Sequence, residues 1–455
     1  MNIAVIGGGW AGLSAALQAT REGNAVTLFE ASRTLGGRAR GVPVAHTHEG
    51  QTFHWQLDNG QHILIGAYSQ TLALLEELGM QPDELLRTPL SLVYPDGQGL
   101  RCPDLSGFAT LSRASRPYLS MLEIAWGITR LPWAWSERWA LLRQAMRWRA
   151  QGFACTPGLT VRDICASLPQ RVMVDFIEPL CVSALNTPPH AACAQVFLRV
   201  LQDALLGATS TQGLTYPSTP WGLPSHLLIA RTDLGALMPE RAALALTKTK
   251  AKLRLGERAQ LHFHAGWQVQ GEPFDAVILA TSASDAIKLL EKTEGVAPEK
   301  EANIGAWLDT TRALAFEAIA TVYAYAPQAA LPEPMLALHS TAHYPAQFVF
   351  DRGQLKAEQR GLLAFVVSAS QGDAATLQTQ VLAQAQEQLG LALQPVKTLV
   401  EKRATFACTP ALKRPGLHIA PGLLACGDYT EGPYPATLEG AVRSGYRAAL
   451  ALSAV

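Results

Sequence analysis

The 455-residue sequence is long enough for two or three domains around a large buried core, and its 37 basic and 37 acidic residues cancel. Only 16% of the residues are charged while 48% are hydrophobic, so no global field draws the chain to nucleic acid and much apolar surface has to be hidden. Seven cysteines, at positions 102, 155, 165, 181, 193, 408 and 426, form no C-x-x-C pair and are odd in number. That argues against a zinc ribbon or a disulfide framework, and fits small core residues of a reducing compartment with no metal site.

The chain opens MNIAVIGGGW, a strand-like run with no basic leader or cleavage site, which reads as a cytoplasmic start. Residues 3–6 read as a strand, 11–21 as a helix and 25–30 as a second strand, together one βαβ unit. Gly7, Gly9 and Gly12 satisfy G-x-G-x-x-G between the first strand and the helix, and Glu30 ends the second strand 18 residues past Gly12. In that context Gly7 permits the tight turn, Gly9 lets the backbone approach a pyrophosphate, Gly12 lets helix and strand pack, and Glu30 accepts from a ribose hydroxyl. The helix start at Trp10 and Ala11 offers N–H groups and a favourable dipole to phosphate, and Ala31 completes this side of a dinucleotide site.

After SRTLGGR at 32–38, with Gly36, Gly37 and Arg38, comes LDNGQHILIG at 57–66, where Asp58, Asn59, Gln61 and His62 stand before an apolar run. By local rules Asn59-Gly60 is a type I′ hairpin signal. The reading we favour, a segment running beneath a cofactor into a helix over TLALLEELG, capped by Ser69 and stopped near Gly79, is the one implied by the family resemblance given below. Residues 69–203 read as helical and tryptophan-rich. Five of the ten tryptophans (126, 133, 135, 139, 148) lie in 121–149 among Arg130, Arg138, Arg143, Arg147 and Arg149, the composition of an interfacial helix pair or of a tryptophan-lined core. Residues 204–230 are the longest uncharged stretch, but three prolines and three glycines make them a poor spanning helix.

The apolar runs FDAVILA (274–280) and GLLAC (422–426) read as buried parallel strands, so the sheet is assembled from discontinuous segments. Residues 1–68, 204–285 and 405–455 are assigned to a cofactor domain. The second domain takes a helical part, 69–203, and a sheet-containing part, 286–404, which carries the alternating runs IATVYAYA and LLAFVVSAS. AATLQTQVLAQAQEQLG reads as a helix ended by Gly390. Finally, a strand ends in Gly427-Asp428 and a helix begins near Thr437 to Glu439.

SRTLGGR resembles the second glycine signature of the amine oxidase and phytoene desaturase superfamily of flavoproteins, and the Gly427-Asp428 strand with the following helix resembles its last FAD contact. The resemblance implies an α/β fold: an FAD-binding, Rossmann-like domain of the GR2 type with a discontinuous α+β substrate-binding domain. It implies FAD as cofactor, with Gly36, Gly37 and Arg38 at the pyrophosphate, and Gly427 and Asp428 at the ribityl and phosphate region. Asn59 and Gly60 fall beneath the flavin. Ala436, Thr437 and Leu438 form a helix start aimed at its pyrimidine edge, where the dipole stabilises anionic reduced flavin. The adenine falls to the segment 248–270, with Ala259 as contact, although this segment departs from the cleaner strand pair usual in the family.

Five runs, LDNGQHILIG, FIEPLCVSALNT, QFVFDRG, EKRATFACTPALKRP and GDYTEGPYPATLEGAVRSG, together resemble the bacterial hydroxysqualene dehydroxylase family of squalene and hopanoid biosynthesis. The implied reaction is reductive: hydroxysqualene and reduced FAD give squalene, water and oxidised FAD, with an acid protonating the leaving hydroxyl and bulk water excluded. His62 is the candidate acid, since imidazole ordinarily titrates near about 6.5; the alternative is a structural histidine bonded to backbone. Asp58 orients it or stabilises the positive charge; the alternative is that Asp58 and Asn59 only brace the flavin. A thirty-carbon hydrocarbon at ~0.8 kcal/mol per buried carbon carries more transfer free energy than non-covalent binding normally supplies. The substrate is therefore expected to arrive from a bilayer, which implies peripheral contact with the inner face of the cytoplasmic membrane and upstream squalene-pathway enzymes as partners. The competing readings are a carotenoid desaturase, a flavin amine oxidase with Tyr434 as one cage wall but no second, and a non-catalytic prenyl-binding escort.

Overall fold

The computed structural model describes residues 1–110, 116–207, 221–295 and 298–453. Strand β1 (Asn2–Ile6), helix α1 (Trp10–Arg21) and strand β2 (Ala25–Glu30) form the opening unit. They nucleate a six-stranded sheet in the order Lys252–Leu255, β2, β1, Ala276–Leu279, Leu423–Ala425, His418–Ala420. The first five strands are parallel and the last is an antiparallel edge. Ile3, Val5, Val277 and Leu279 have no exposed surface, as expected of strands covered on both faces. Helix α1 lies against the C-terminal helix (Leu438–Ser453) so closely that a Cβ on Gly445 would meet the Ala11 carbonyl oxygen at 2.0 Å.

Strands β3 (Gly41–His48) and β4 (Gln51–Asp58) form the hairpin of this region, turning at Glu49 and Gly50, which both take positive φ. A type I′ turn needs positive φ at both central residues; neither Asn59 nor Gly60 has it. Beyond them β5 (Ile63–Ile65) pairs antiparallel with Leu227–Ala230, which also pairs with Leu85–Thr88. Helix α2 (Ser69–Glu77) follows, and here the expected Ser69 cap is corrected. Tyr68 occupies the cap position, Gln70 and Thr71 donate their N–H groups to the buried Glu439 carboxylate at 3.1 and 2.8 Å, and Ser69 Oγ accepts from Arg443 Nη2 at 2.8 Å. A buried carboxylate beside a helix start outcompetes a hydroxyl for those donors.

The 69–203 region holds α3 (Arg116–Thr129), α4 (Trp135–Ala150) and α5 (Ala194–Leu206). It also contains three strands absent from the sequence reading, Leu85–Thr88, Ser91–Val93 and Gly99–Arg101, each too short for a period to show. Downstream, Phe316–Tyr325 and Leu362–Ser368 carry the two alternating runs into a five-stranded antiparallel sheet with Met335–Ala337, Phe348–Asp351 and Gln394–Phe406. The helix Ala374–Leu389 ends at Gly390 in the left-handed conformation. The 248–270 segment is more regular than its sequence suggests. Lys252–Leu255 joins the parallel sheet, and Leu261–Phe263, Trp267–Val269 and Glu272–Phe274 form a small antiparallel one. All seven cysteines are free. Of the uncharged stretch 204–230, residues 208–220 lie outside the described residues, and among the described residues no helix is long and apolar enough to cross a membrane.

Candidate functional site

The first glycine turn is built by contact at two positions and by space at a third. A Cβ on Gly7, which has φ +114°, would stand 2.5 Å from the Ala280 oxygen, and one on Gly12 would stand 1.9 Å from the Gly7 oxygen. A Cβ on Gly9 meets nothing within 4 Å. No side chain caps the N-terminus of α1, so a phosphate can take the place of a cap there. Trp10 does not turn its side chain to this space: the indole is buried and donates to the Ala39 carbonyl at 3.0 Å, leaving the backbone N–H as its contribution. Glu30 accepts from Gly8 N at 2.6 Å and Ser32 N at 2.7 Å. These bonds fix the turn and leave the carboxylate lone pairs for a ribose. Ala31 is exposed beside it. Glu257 N donates to the Glu30 carbonyl at 3.0 Å, and the irregular segment that follows buries Ala259.

The second glycine segment is tied to the first. Gly36 N donates to the Gly8 carbonyl at 2.9 Å, and a Gly37 Cβ would lie 3.4 Å from Gly9 Cα. Arg38 then reaches across to Asp428 Oδ1 at 2.5 Å, so residues from the two ends of the chain meet. Both line a cleft of about 510 Å³ where the carboxyl ends of Ala276–Leu279 and Leu423–Ala425 face Phe316 and Phe406 of the antiparallel sheet, the usual ligand position in an open parallel sheet. The open cradle at Gly9, the uncapped helix, Glu30 and Arg38 together fit a bound dinucleotide.

The polar segment 58–62 divides into two roles. Asp58 is buried, accepts from Leu234 N at 2.7 Å and stands 3.8 Å from Arg352, whose guanidinium also donates to Gln359 at 2.8 Å and Gln61 at 3.1 Å. Burial pushes the Asp58 carboxyl up to about 6, with Arg352 opposing. Asn59 Nδ2 donates to the Arg38 carbonyl at 3.2 Å, tying Asn59 and Gly60 to the second glycine segment. The expectation that Asp58 orients His62 is corrected: His62 Nδ1 is held by the Gly60 carbonyl at 2.5 Å, and the Asp58 carboxylate is spent on Leu234 and Arg352. A carbonyl only accepts, so Nδ1 carries the proton and Nε2 is the bare acceptor in the neutral ring. Burial lowers the His62 pKa, with the Gly60 hydrogen bond opposing and the Arg38 charge adding to the depression. At neutral pH His62 is therefore better placed to accept a proton or hydrogen bond than to give one.

At the C-terminal signature Gly427 N donates to Ser444 Oγ at 2.8 Å, and Ala436, in positive φ, donates its N–H to the Asp428 carbonyl at 3.1 Å. Thr437 Oγ1 accepts from Gly440 N at 2.9 Å, capping the helix that begins at Leu438. Behind it lies a polar string in which Glu439, Arg443, Asp203 and the half-buried Arg199, none of them given a role by the sequence reading, surround Tyr434. The Tyr434 ring carries the Arg443 guanidinium 4.7 Å and the Arg199 guanidinium 5.6 Å from its centroid. Tyr434 Oη lies beside the Asp203 carboxylate, and both side chains are buried. Burial raises the Asp203 pKa, partly offset by Arg199. The signal available in sequence was weak: Arg199 and Asp203 are an i,i+4 pair inside an amphipathic helix, ordinarily a surface feature.

Fold and site define an FAD-dependent oxidoreductase, with the dinucleotide held on a Rossmann-like sheet. Family comparison agrees: residues 5–78 match the NAD(P)-binding Rossmann-like domain and residues 246–453 the flavin containing amine oxidoreductase family. Over these two segments the chain is similar to that flavoprotein superfamily, and FAD is its cofactor. Within it, the chain is similar from end to end to proteins named hydroxysqualene dehydroxylase. It is 25% identical to that of Rhodopseudomonas palustris, over 98% of this chain and 97% of the relative, and 26% identical to that of Sinorhizobium fredii, over 99% and 98%. In fold it is similar to the crystal structure of an oxidoreductase from Methanosarcina mazei, with TM-score 0.70 at 15% identity over 99% of this chain and all of the other.

Proposed function

We propose that the chain removes the hydroxyl of hydroxysqualene reductively, forming squalene within squalene and hopanoid biosynthesis. The observation that carries this reading is the end-to-end similarity to relatives of that name, 98% of this chain against 97% of the relative. In the overall change the allylic C–O bond breaks, the hydroxyl leaves as water with a proton from the protein, and a hydride forms the new C–H bond. Reduced FAD, when bound, supplies that hydride. Gly9, the α1 start, Glu30, Arg38 and Asp428 hold the dinucleotide; Asn59, Gly60 and the Ala436–Leu438 helix start flank its flavin end, and Ala259 its adenine.

The remaining chemistry belongs to protein side chains. His62 Nε2 receives the substrate hydroxyl as a hydrogen-bond acceptor and gives a proton only in its protonated minority at neutral pH. Asp203, whose carboxyl is pushed up by burial against the opposing Arg199, is the second candidate donor, with Tyr434 Oη beside it. An amine oxidase reading loses ground at the same place: a ring already facing two guanidiniums repels a protonated amine. The hydrocarbon substrate places the enzyme at the inner face of the cytoplasmic membrane.

The test is anaerobic incubation of photoreduced enzyme with hydroxysqualene, following flavin reoxidation and squalene together. Equal amounts of both support the reading. Flavin reoxidised only by a carotenoid precursor such as phytoene overturns it in favour of a desaturase, and a colourless protein that binds prenyl chains overturns it in favour of an escort.

A further inference from the structure

Twelve large hydrophobic side chains are exposed among the described residues, and seven of them fall between Phe108 and Met146. A random scatter over the surface would not concentrate them in so short a stretch, so this face needs its own explanation. On α3 the exposed residues are Tyr118, Leu122 and Trp126, spaced by four, which places them on one stripe of the helix. On α4, Trp135 and Trp139 continue the pattern, followed by Arg143, Met146 and Arg147, all exposed.

The tryptophans of this region divide cleanly. Trp133 and Trp148 are 5% and 4% exposed and belong to the core, whereas Trp126, Trp135 and Trp139 are 54%, 69% and 56% exposed. Core packing explains the first pair and leaves the other three without a function.

The inner side of α3 is anchored, so the stripe is held outward by the fold. Glu123, with no exposed surface, accepts from Leu105 N at 2.7 Å and from His226 Nε2 at 3.1 Å. The charges on the outer side are of one sign. Arg130, Arg143, Arg147 and Arg149 are exposed, while of the two acids on these helices Glu123 is buried and Glu137 is turned back to the Ala134 N–H at 2.9 Å. Arg130 lies over the Trp126 ring at 5.1 Å and Arg138 over the Trp135 ring at 4.3 Å. That pairing keeps each ring beside its charge at one level, as at a water–hydrocarbon boundary.

We infer that α3 and α4 form a docking face for an anionic lipid bilayer, with Leu122, Trp126 and Trp139 seated among the headgroups and the arginines against lipid phosphates. A protein partner would be expected to bring both signs of charge to its rim; exposed aromatics with an all-basic rim match an anionic bilayer. The opposite side of α3 packs on α5, the helix that carries Asp203 toward Tyr434. One helix layer thus separates the lipid from the buried polar end of the site. The purpose of the face, collecting a bilayer-dissolved hydrocarbon, rests on the proposed function; its existence does not.

Purified holoenzyme is floated with vesicles of phosphatidylcholine alone and with added phosphatidylglycerol, no substrate present. Binding is expected to be at least about tenfold tighter to the anionic vesicles and to weaken with salt. Trp126→Ser with Trp139→Ser should weaken it at least about tenfold. Arg143→Glu with Arg147→Glu should weaken it by about fivefold or more per arginine, from roughly 1 kcal/mol each. Both variants should keep their FAD spectrum, and Leu244→Ser, an exposed apolar residue elsewhere, should bind as the parent does. Equal binding to neutral vesicles, or none to either, overturns the inference, as does a dimer that the tryptophan variant dissociates without vesicles. Squalene formation from detergent-dispersed substrate, measured separately, reports on the proposed function alone.

Discussion

Removing Arg352 tests whether the polar knot under the 58–62 segment is an ion pair that the fold depends on. Its guanidinium stands 3.8 Å from Asp58, and both side chains are 1% exposed. Even with Arg352 alongside, burial raises the Asp58 carboxyl from 3.8 to about 6. A raised carboxyl means that the folded protein binds this proton more tightly than the unfolded chain. The contribution of Asp58 to stability is therefore greatest below the unfolded value, declines as pH rises between about 4 and 6, and is level above, a span of about 3 kcal/mol. Arg352→Met keeps the bulk and deletes the opposing charge, so the carboxyl rises further and the declining limb extends into neutral pH. At pH 7 the added loss through Asp58 is bounded by protonating it from its parental value of about 6, roughly 1.4 kcal/mol. Adding Asp58→Asn should restore most of that loss. Urea unfolding of FAD-saturated protein, followed by tryptophan fluorescence at pH 5 and pH 8, reads all four corners of the cycle. An Arg352→Met protein as stable as the parent at pH 8, or a double variant no better than the single, refutes the reasoning.

His62→Ala should retain FAD and lose turnover by about 10²-fold or more. Because burial lowers the His62 pKa, a role for bare Nε2 predicts turnover that rises with pH through a value below the ordinary 6.5 and is flat above pH 7; a falling limb in that range instead identifies proton donation. The two glycines should separate folding from binding. Gly9→Ala meets nothing within 4 Å and should melt like the parent while weakening FAD at least about tenfold; Gly12→Ala, with its Cβ 1.9 Å from the Gly7 oxygen, should lower the melting temperature itself. Glu439→Gln takes an ionised acceptor from the α2 start and from Arg443 Nε at 2.6 Å, and should cost about 2–3 kcal/mol in denaturant unfolding.

Those tests fall on residues of two kinds. The glycine turn was legible because its determinants are contiguous: which residue sits at Gly7, Gly9 and Gly12 decides locally whether a turn can close and a phosphate can approach. The strands at 276–279 and 423–425 were legible because a strand buried on both faces writes an unbroken apolar run. Helix Ala374–Leu389 was legible from its period and its terminal glycine. By contrast, no local pattern announces that Glu439 accepts from the first N–H groups of α2, nor that Arg352 faces Asp58, because each partnership joins segments hundreds of residues apart. Ser69 looked like a cap for that reason: it is a cap residue in sequence, placed beside a stronger acceptor in space.

Spacing alone determined a dinucleotide-binding Rossmann unit, since phosphate binding by backbone N–H groups constrains a short run of residues wherever it occurs; FAD and the contact from the far end of the chain came from the family resemblance. Composition and spacing also determined that 121–149 holds tryptophans and arginines at helical spacing. The tertiary structure alone decided which tryptophans are core and which face outward, because a helix has two sides and only its neighbours choose between them. It likewise decided the tautomer of His62, through a backbone carbonyl two residues away. A side chain's proton follows the acceptor that the fold sets against it, and neither residue type nor spacing carries that geometry.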